Sequence, residues 1–83
     1  MKPVVTLYTR AGCHLCDEMK HVLRAARRRA EFDYKEIDID RDPELRRRYN
    51  DEVPWITINH VRAFQYYLDL EQFLRRLAAM HES

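Results

Sequence analysis

The feature that most constrains this chain is a continuous apolar run near its start, which leads through one short loop into a helix-spaced apolar stripe. The run covers residues 3–8 and is rich in β-branched side chains, as is typical of a strand buried on both faces. After residues 9–12, apolar residues recur three or four positions apart, at Leu15, Met19, Val22, Leu23, Ala26 and Ala30. The pattern predicts a central strand followed by a helix that begins at or next to Cys13.

The middle of the chain predicts a short strand and a short helix. Residues 32–39 place Phe, Tyr and Ile among charged residues, which favours an edge-type strand. A helix is then expected from Pro43 to about residue 49 or 50, because Asp42 can cap it and proline is well suited to its first position.

The last third of the chain predicts a hairpin and a final helix. Strand-like runs at 54–58 and 61–66 flank the pair Asn59-His60, which can form a two-residue turn although the usual second-position glycine is missing. Asp69 stands three residues before Gln72, in an arrangement similar to a capping box. We therefore expect the last helix to follow Asp69.

The predicted order is strand, helix, strand, helix, strand, strand, helix. With 83 residues the chain has room for one hydrophobic core, so a single domain over residues 1–83 is expected. This order predicts an α/β fold of the thioredoxin-like type, a βαβαββα three-layer sandwich around a four-stranded mixed sheet.

Charge and hydropathy exclude several classes of partner. Fifteen basic and fourteen acidic residues nearly cancel, so no strong field attracts nucleic acid or anionic lipid. Two arginine runs, at residues 27–29 and 46–48, have acidic neighbours and are interpreted as solvated helix surfaces. No apolar stretch approaches the roughly 20 residues that a membrane span requires. We expect neither a nucleic-acid nor a membrane partner.

The only two cysteines, Cys13 and Cys16, are too close in sequence to cross-link distant parts of a fold. A reducing, cytoplasmic location is therefore expected, and the protein is expected to be a monomer.

Cys13 and Cys16 form a C-x-x-C pair at the predicted start of the first helix. A thiol reacts as its thiolate, and the unpaired N–H groups at a helix N-terminus stabilise that anion. Cys16 lies one turn further along, on the side that carries Met19 and Leu23, so it is expected to be less exposed than Cys13. Cys13 is thus the candidate nucleophile, and Cys16 is the residue that resolves a mixed disulfide on it.

Two charged neighbours are candidates for favouring the thiolate of Cys13. Arg10 does so with a permanent charge, and His14 only in its protonated form. A merely exposed His14 is the alternative interpretation.

Other interpretations of the cysteine pair stay open. Two inert cysteines would fill space in a helix, and the fold would then be a redox-inert binding module. Alternatively, the thiolates could hold a metal ion or an iron–sulfur cluster, with His14 or His21 or between two chains. Structural zinc normally needs four ligands and no second C-x-x-C is present, so no metal site is predicted within one chain.

The segment from Leu7 to Cys16, followed much later by Val53-Pro54, resembles the glutaredoxins, in particular the short glutaredoxin-like proteins of bacteria. The resemblance spans nearly the whole chain. It implies that Pro54 follows a cis peptide bond and faces the cysteine pair. It also implies that the backbone of Val53 pairs with a substrate segment as an added strand. Val53 and Pro54 are therefore candidate substrate-binding residues.

The chain departs from that family before its last helix. Glutathione-using glutaredoxins carry a Gly-Gly pair and an Asp-bearing turn there, whereas residues 61–69 contain no glycine. Asp69 alone stands where a family contact to glutathione would be expected, so tight glutathione binding is not expected. Arg10 and Arg48 are candidates for binding a peptide carboxylate, and His14 completes the set of candidate substrate-binding residues.

The sequence thus predicts a thiol–disulfide oxidoreductase that reduces protein disulfides or glutathione mixed disulfides. No tightly bound cofactor is expected, and an external thiol reductant, with glutathione as one possibility, would regenerate the dithiol. Trp55, Tyr66 and Tyr67 are expected to form an aromatic cluster near the last hairpin. They could line a partner groove next to the active site, or at least two of them are core or half-buried strand residues.

Overall fold

The chain folds into four strands and three helices in the predicted order, as seen in a computed structural model that describes residues 2–82. The strands are β1 (Val4–Thr9), β2 (Asp33–Asp38), β3 (Trp55–Ile58) and β4 (Val61–Gln65). The helices are α1 (His14–Arg27), α2 (Pro43–Tyr49) and α3 (Leu70–Glu82), and a 3-10 turn over Ile39–Arg41 precedes α2.

The strands form one mixed sheet in the order β2-β1-β3-β4. β1 is parallel to β2 and antiparallel to β3, and β4 pairs with β3 in the antiparallel direction. The continuous apolar run of β1 is explained by its inner position, and the charged β2 lies at the edge of the sheet. The predicted central and edge strands are confirmed.

The two faces of the sheet are covered by different helices. Val5 and Leu7 of β1 are fully buried and belong to one core with residues of α1 and α3. Tyr8 alternates with them and therefore points to the opposite face. There Tyr49, the last residue of α2, packs against Trp55. The predicted three-layer α/β sandwich is confirmed.

Capping residues define where the helices begin. Asp42 Oδ1 accepts hydrogen bonds from the N–H groups of Glu44 (3.0 Å) and Leu45 (3.4 Å) at the start of α2. Asp69 Oδ2 accepts from the N–H of Gln72 at 2.9 Å at the start of α3. Each cap pairs N–H groups that the first helical turn leaves without an intrahelical partner.

The hairpin turn forms without glycine. Asn59 (φ 51°) and His60 (φ 71°) both adopt the left-handed conformation that a two-residue turn of this kind requires. The turn is also tied to β1, because Asn59 Oδ1 accepts from the N–H of Val4 at 2.9 Å and the Asn59 N–H donates to the Val4 carbonyl at 2.8 Å. These bonds help to hold the register between β1 and β3.

Both arginine runs, at residues 27–29 and 46–48, are exposed, as predicted. Within residues 2–82, none of the helices combines the length and the apolar character needed to cross a lipid bilayer.

Candidate active site

Cys13 and Cys16 are joined by a disulfide at the start of α1, with their Cα atoms 5.2 Å apart. Cys13 is the N-cap residue of the helix, and its Sγ accepts a hydrogen bond from the N–H of Cys16 at 3.1 Å. The side chain of Cys16 faces the core and the residue is 0% exposed, whereas Cys13 is only partly buried. The pair therefore presents one sulfur towards solvent and hides the other.

The loop between β1 and α1 depends on its one glycine. Gly12 has φ 70°, in the left-handed region that glycine enters without steric cost. The turn redirects the chain from the end of β1 into α1 and places Cys13 at the first turn of the helix.

A second loop, around Val53 and Pro54, lies at the end of the sheet from which the chain continues to Cys13. The peptide bond between Val53 and Pro54 is cis, as the family resemblance implies. Tyr8 of β1 is paired with Trp55 of β3. The next positions along these two strands, Thr9 and Pro54, therefore lie at the same end of the sheet as the loop to Cys13. Within the described residues, no hydrogen bond engages the N–H or the C=O of Val53. Its backbone is therefore open to pairing.

The end of β4 fastens this second loop. The Tyr66 N–H donates to the carbonyl of Pro54 at 2.8 Å and the Tyr66 hydroxyl to that of Asp51 at 3.1 Å. Gln65 Nε2 donates to the carbonyl of Glu52 at 3.1 Å. These bonds engage the carbonyls on either side of Val53 and leave that of Val53 itself unpaired.

Tyr66 makes these contacts in an unusual conformation. Its φ of 67° lies in the left-handed region, although its side chain makes that region costly. The sequence does not predict Gln65 and Tyr66 as positioning residues, because no local pattern marks a tyrosine with positive φ.

Arg10 and His14 both have partners other than the cysteines. Arg10 Nε and Nη2 donate to the two carboxylate oxygens of Asp40 at 3.2 and 2.9 Å. Arg10 Nη1 donates to the backbone and side-chain oxygens of Asn50 at 2.9 and 2.8 Å. The side chain of His14 is 86% exposed, with Nε2 lying 3.3 Å from the Glu18 carboxylate. Arg10 thus joins the end of β1 to the segment around α2.

The other two candidate binding residues lie on neighbouring helices. Arg48 is exposed on α2, and its guanidinium lies 5.6 Å from the centre of the Tyr49 ring. The side chain of Asp69 serves as the cap of α3. Within the described residues, neither side chain has a hydrogen bond or ion pair with the cysteine pair.

Within the described residues, no ring contact joins Trp55 to Tyr66 or Tyr67, so the predicted aromatic cluster is wrong. The alternative, that at least two of the three are buried or half-buried, agrees with the buried Trp55 and the half-buried Tyr66. Trp55 stacks instead on Tyr8, with ring centres 4.3 Å apart and planes inclined by 7°, and it is 4% exposed. The Arg62 guanidinium lies 4.8 Å from the Trp55 ring centre. Trp55 projects towards the α2 face of the sheet, whereas Tyr66 and Tyr67 belong to the linker after β4. Tyr67 is 72% exposed.

Over the described part of the chain, no group of three or more His, Cys, Asp or Glu side chains is arranged to hold a metal ion.

Solved structures similar to this chain include two that are about one-third identical to it and others that are more distant. Protein Ne2328 from Nitrosomonas europaea, solved by NMR, is 33% identical over 93% of each chain, with a TM-score of 0.77. The X-ray structure of protein XcR50 from X. campestris is 32% identical over 90% of this chain and 96% of that chain, with a TM-score of 0.72. Chloroplastic thioredoxin z is 15% identical over 99% of this chain and 80% of that chain, with a TM-score of 0.80. At that identity it shares the fold alone.

The family model described as "Glutaredoxin-like domain (DUF836)" matches residues 4–78. This match covers all four strands, both cysteines and the Val53-Pro54 loop. The chain therefore belongs to the glutaredoxin-like domain family, and its fold is thioredoxin-like.

Proposed function

We propose that this protein is a thiol–disulfide oxidoreductase that reduces protein disulfides or glutathione mixed disulfides. The observation that carries the proposal is the unequal exposure of the two bonded cysteines at a helix N-terminus. Cys13 is accessible to a substrate, and Cys16 is shielded from one but lies beside the Cys13 sulfur. This is the arrangement that a nucleophile and its resolving thiol require.

The first step starts from the reduced pair. The Cys13 thiolate, stabilised by the N-terminus of α1, attacks one sulfur of the substrate disulfide. A bond forms between Cys13 and that sulfur, and the other substrate sulfur leaves as a thiolate that takes up a proton from solvent.

The second step releases the product. Cys16 loses its proton and attacks the Cys13 sulfur, the mixed disulfide breaks, and the second substrate sulfur departs as a thiol. The substrate has gained two electrons, and the protein carries the Cys13–Cys16 disulfide. An external thiol reductant returns it to the dithiol by the same exchange chemistry.

The loop around Pro54 orients the substrate in this proposal. The free N–H and C=O of Val53 suit an extended segment that pairs as an added strand beside the reacting disulfide. Arg10 and Asp69 already have structural partners. We therefore assign substrate alignment to the Val53 backbone rather than to these side chains.

The proposed chemistry requires no tightly bound cofactor, and glutathione is a candidate for the external reductant. A dithiol that an external thiol regenerates suits a reducing compartment such as the cytoplasm. One chain carries both thiols and the Val53-Pro54 loop, so a monomer suffices for the reaction.

Single-turnover kinetics test the proposal. The prereduced protein is mixed with 2-hydroxyethyl disulfide, a small neutral substrate, and the reaction is quenched with acid and followed by mass spectrometry. The wild type should reduce one equivalent and end as the intramolecular disulfide. Cys16→Ser should stop as a mixed disulfide on Cys13, and Cys13→Ser should lose the reaction by at least about a hundredfold.

The outcome that contradicts the proposal is a Cys13→Ser variant that reacts at the wild-type rate while its circular dichroism shows a native fold. A coupled turnover assay then identifies the electron source. It compares glutathione plus glutathione reductase with thioredoxin reductase as the supply for the same substrate.

A further inference from the structure

A groove of about 500 Å³ runs beside the active-site helix, and the two exchange steps do not use it. It lies between residues 17–22 of α1 and residues 66–68 of the linker to α3. The half-buried Val22 and Leu68 contribute apolar surface, and Met19, also among the lining residues, is 1% exposed and belongs to the core. Tyr67, among its lining residues, is 72% exposed. Concave apolar surface beside an exposed aromatic side chain is typical of a binding site for another molecule.

The charged groups on this groove are acidic. Asp17 and Glu18 line it from α1, and both are exposed. Among the described residues that line it there is no Lys or Arg, and His21 is the one side chain able to carry a positive charge. Glu18 lies near His14, which neutralises it only when the imidazole is protonated. The side chains that line the groove therefore carry a net negative charge, although the whole chain has a formal charge of +1.

The distance from the disulfide sets which part of a substrate can reach this groove. Glu18 and Val22 follow Cys13 by five and nine residues along α1, which corresponds to about 8–14 Å at 1.5 Å per helical residue. An extended peptide advances about 3.3 Å per residue. A residue three or four positions from a cysteine bound at Cys13 therefore reaches the groove.

We propose that this groove binds a polypeptide substrate through an apolar side chain, flanked by Lys or Arg, three or four residues from the reacting cysteine. The inference rests on the proposed function, because it names the substrate class for the same disulfide. The apolar side chain fills the cleft, and the flanking cations face Asp17 and Glu18. A small disulfide has no group that extends this far and gains nothing from the groove.

The test uses the symmetric disulfide dimer of a short peptide, so that attack on either sulfur gives the same product. The peptide carries Leu four residues after its cysteine, with Arg on both sides of that Leu. The second-order rate constant with prereduced protein is divided by the rate constant for 2-hydroxyethyl disulfide, which removes changes in intrinsic thiol reactivity. Replacing Leu by Ser in the peptide, or both Arg by Glu, should lower this ratio at least tenfold, which is about 1.4 kcal/mol.

Variants of the protein locate the effect. The double variant Asp17→Asn/Glu18→Gln should lose most of the preference for Arg over Glu in the peptide, and Tyr67→Ser should lower the preference for Leu over Ser. A matched control, Glu31→Gln/Asp33→Asn, also removes two negative charges, but beyond the C-terminal end of α1, and should keep both preferences. Equal ratios for all peptides, or equal loss in the control, would overturn the proposal.

A binding measurement separates this proposal from the proposed function. The same peptide with Ser in place of its cysteine is titrated into the oxidised protein, and ¹⁵N amide chemical shifts are followed. Shifts concentrated at Val22 and Leu68, and weakened by the Arg-to-Glu peptide, support the groove even if 2-hydroxyethyl disulfide is never reduced. Shifts elsewhere, or sedimentation showing that a second copy covers the groove, would refute it.

Discussion

Replacing Arg10 with methionine tests whether Arg10 stabilises the fold through Asp40 and Asn50 rather than binding the substrate. Its guanidinium donates to both oxygens of Asp40 and to two oxygens of Asn50, all between 2.8 and 3.2 Å. These bonds tie the end of β1, three residues before Cys13, to the 3-10 turn and to the residue after α2. Methionine keeps much of the aliphatic stem and removes the charge and every donor.

The size of the effect follows from partial burial. The side chains of Arg10 and Asp40 are 28% and 32% exposed. Exposed ion pairs contribute about 0–1 kcal/mol, and breaking a fully buried pair costs about 3–5 kcal/mol. A bidentate pair of intermediate exposure, supported by two further hydrogen bonds, should lie between these limits at about 2 kcal/mol. For a domain of this size, that lowers Tm by about 8–16 °C.

Thermal and guanidinium unfolding followed by circular dichroism measure this loss in the oxidised protein. A double-mutant cycle with Asp40→Asn should give a coupling free energy of at least about 1 kcal/mol. Arg47→Met is a matched control, because Arg47 pairs with Glu44 on the surface at 74% and 62% exposure and should contribute little. If the free-energy changes of the two single variants add to within about 0.5 kcal/mol, and the reaction rate falls strongly, the stabilising role of Arg10 would be refuted and a role in substrate binding would be favoured.

Three further changes probe the loops and the pH response. Tyr66→Phe removes the hydroxyl that donates to the Asp51 carbonyl, and should slow reduction of a peptide disulfide more than that of 2-hydroxyethyl disulfide; equal slowing of both would argue against a loop that aligns the peptide backbone. Asp69→Ala removes the cap of α3 and should cost about 1 kcal/mol, or about 4–8 °C in Tm, whereas Asp69→Asn keeps a capping oxygen and should recover most of it. Burial, followed by the hydrogen bond to Glu36 and the charge of Glu36, raises the pKa of Tyr34 above its ordinary value of about 10. The stability that neutral Tyr34 contributes is therefore complete below about pH 10 and is lost as the pH rises further, so unfolding followed from pH 9 to pH 11 should show a steeper decline for the wild type than for Tyr34→Phe; parallel declines would contradict this assignment.

The sequence was most informative where structure depends on near neighbours. The apolar spacing of α1, the Asp42 and Asp69 caps and the Asn59-His60 turn each involve residues only a few positions apart, and the structure confirms all of them. The different exposure of Cys13 and Cys16 follows from the same kind of reasoning. Cys16 lies on the buried side of α1, whereas Cys13 is the N-cap residue at the end of the preceding loop.

Prediction was weaker where a side chain's partner lies far away along the chain. Arg10 and Asp40 are 30 residues apart, and the partners of Arg10 depend on how the segment after β2 folds back towards the end of β1. The sequence places Trp55 near Tyr66 and Tyr67, but its position in β3 directs its side chain to the α2 face, where it stacks on Tyr8. A sequence pattern cannot decide between such neighbours until strand pairing is known.

The sequence by itself determined the order of elements, the place of the C-x-x-C pair at the start of a helix and the likeness to glutaredoxins, because these depend on local spacing and residue type. The tertiary structure decided three further features: the partners of Arg10, the left-handed conformation of Tyr66 and the groove between α1 and the linker. Each of these features requires segments distant in sequence to meet. The pairing of β3 with β1 and β4 brings the Val53-Pro54 loop and the linker after β4 to the same end of the sheet as Cys13.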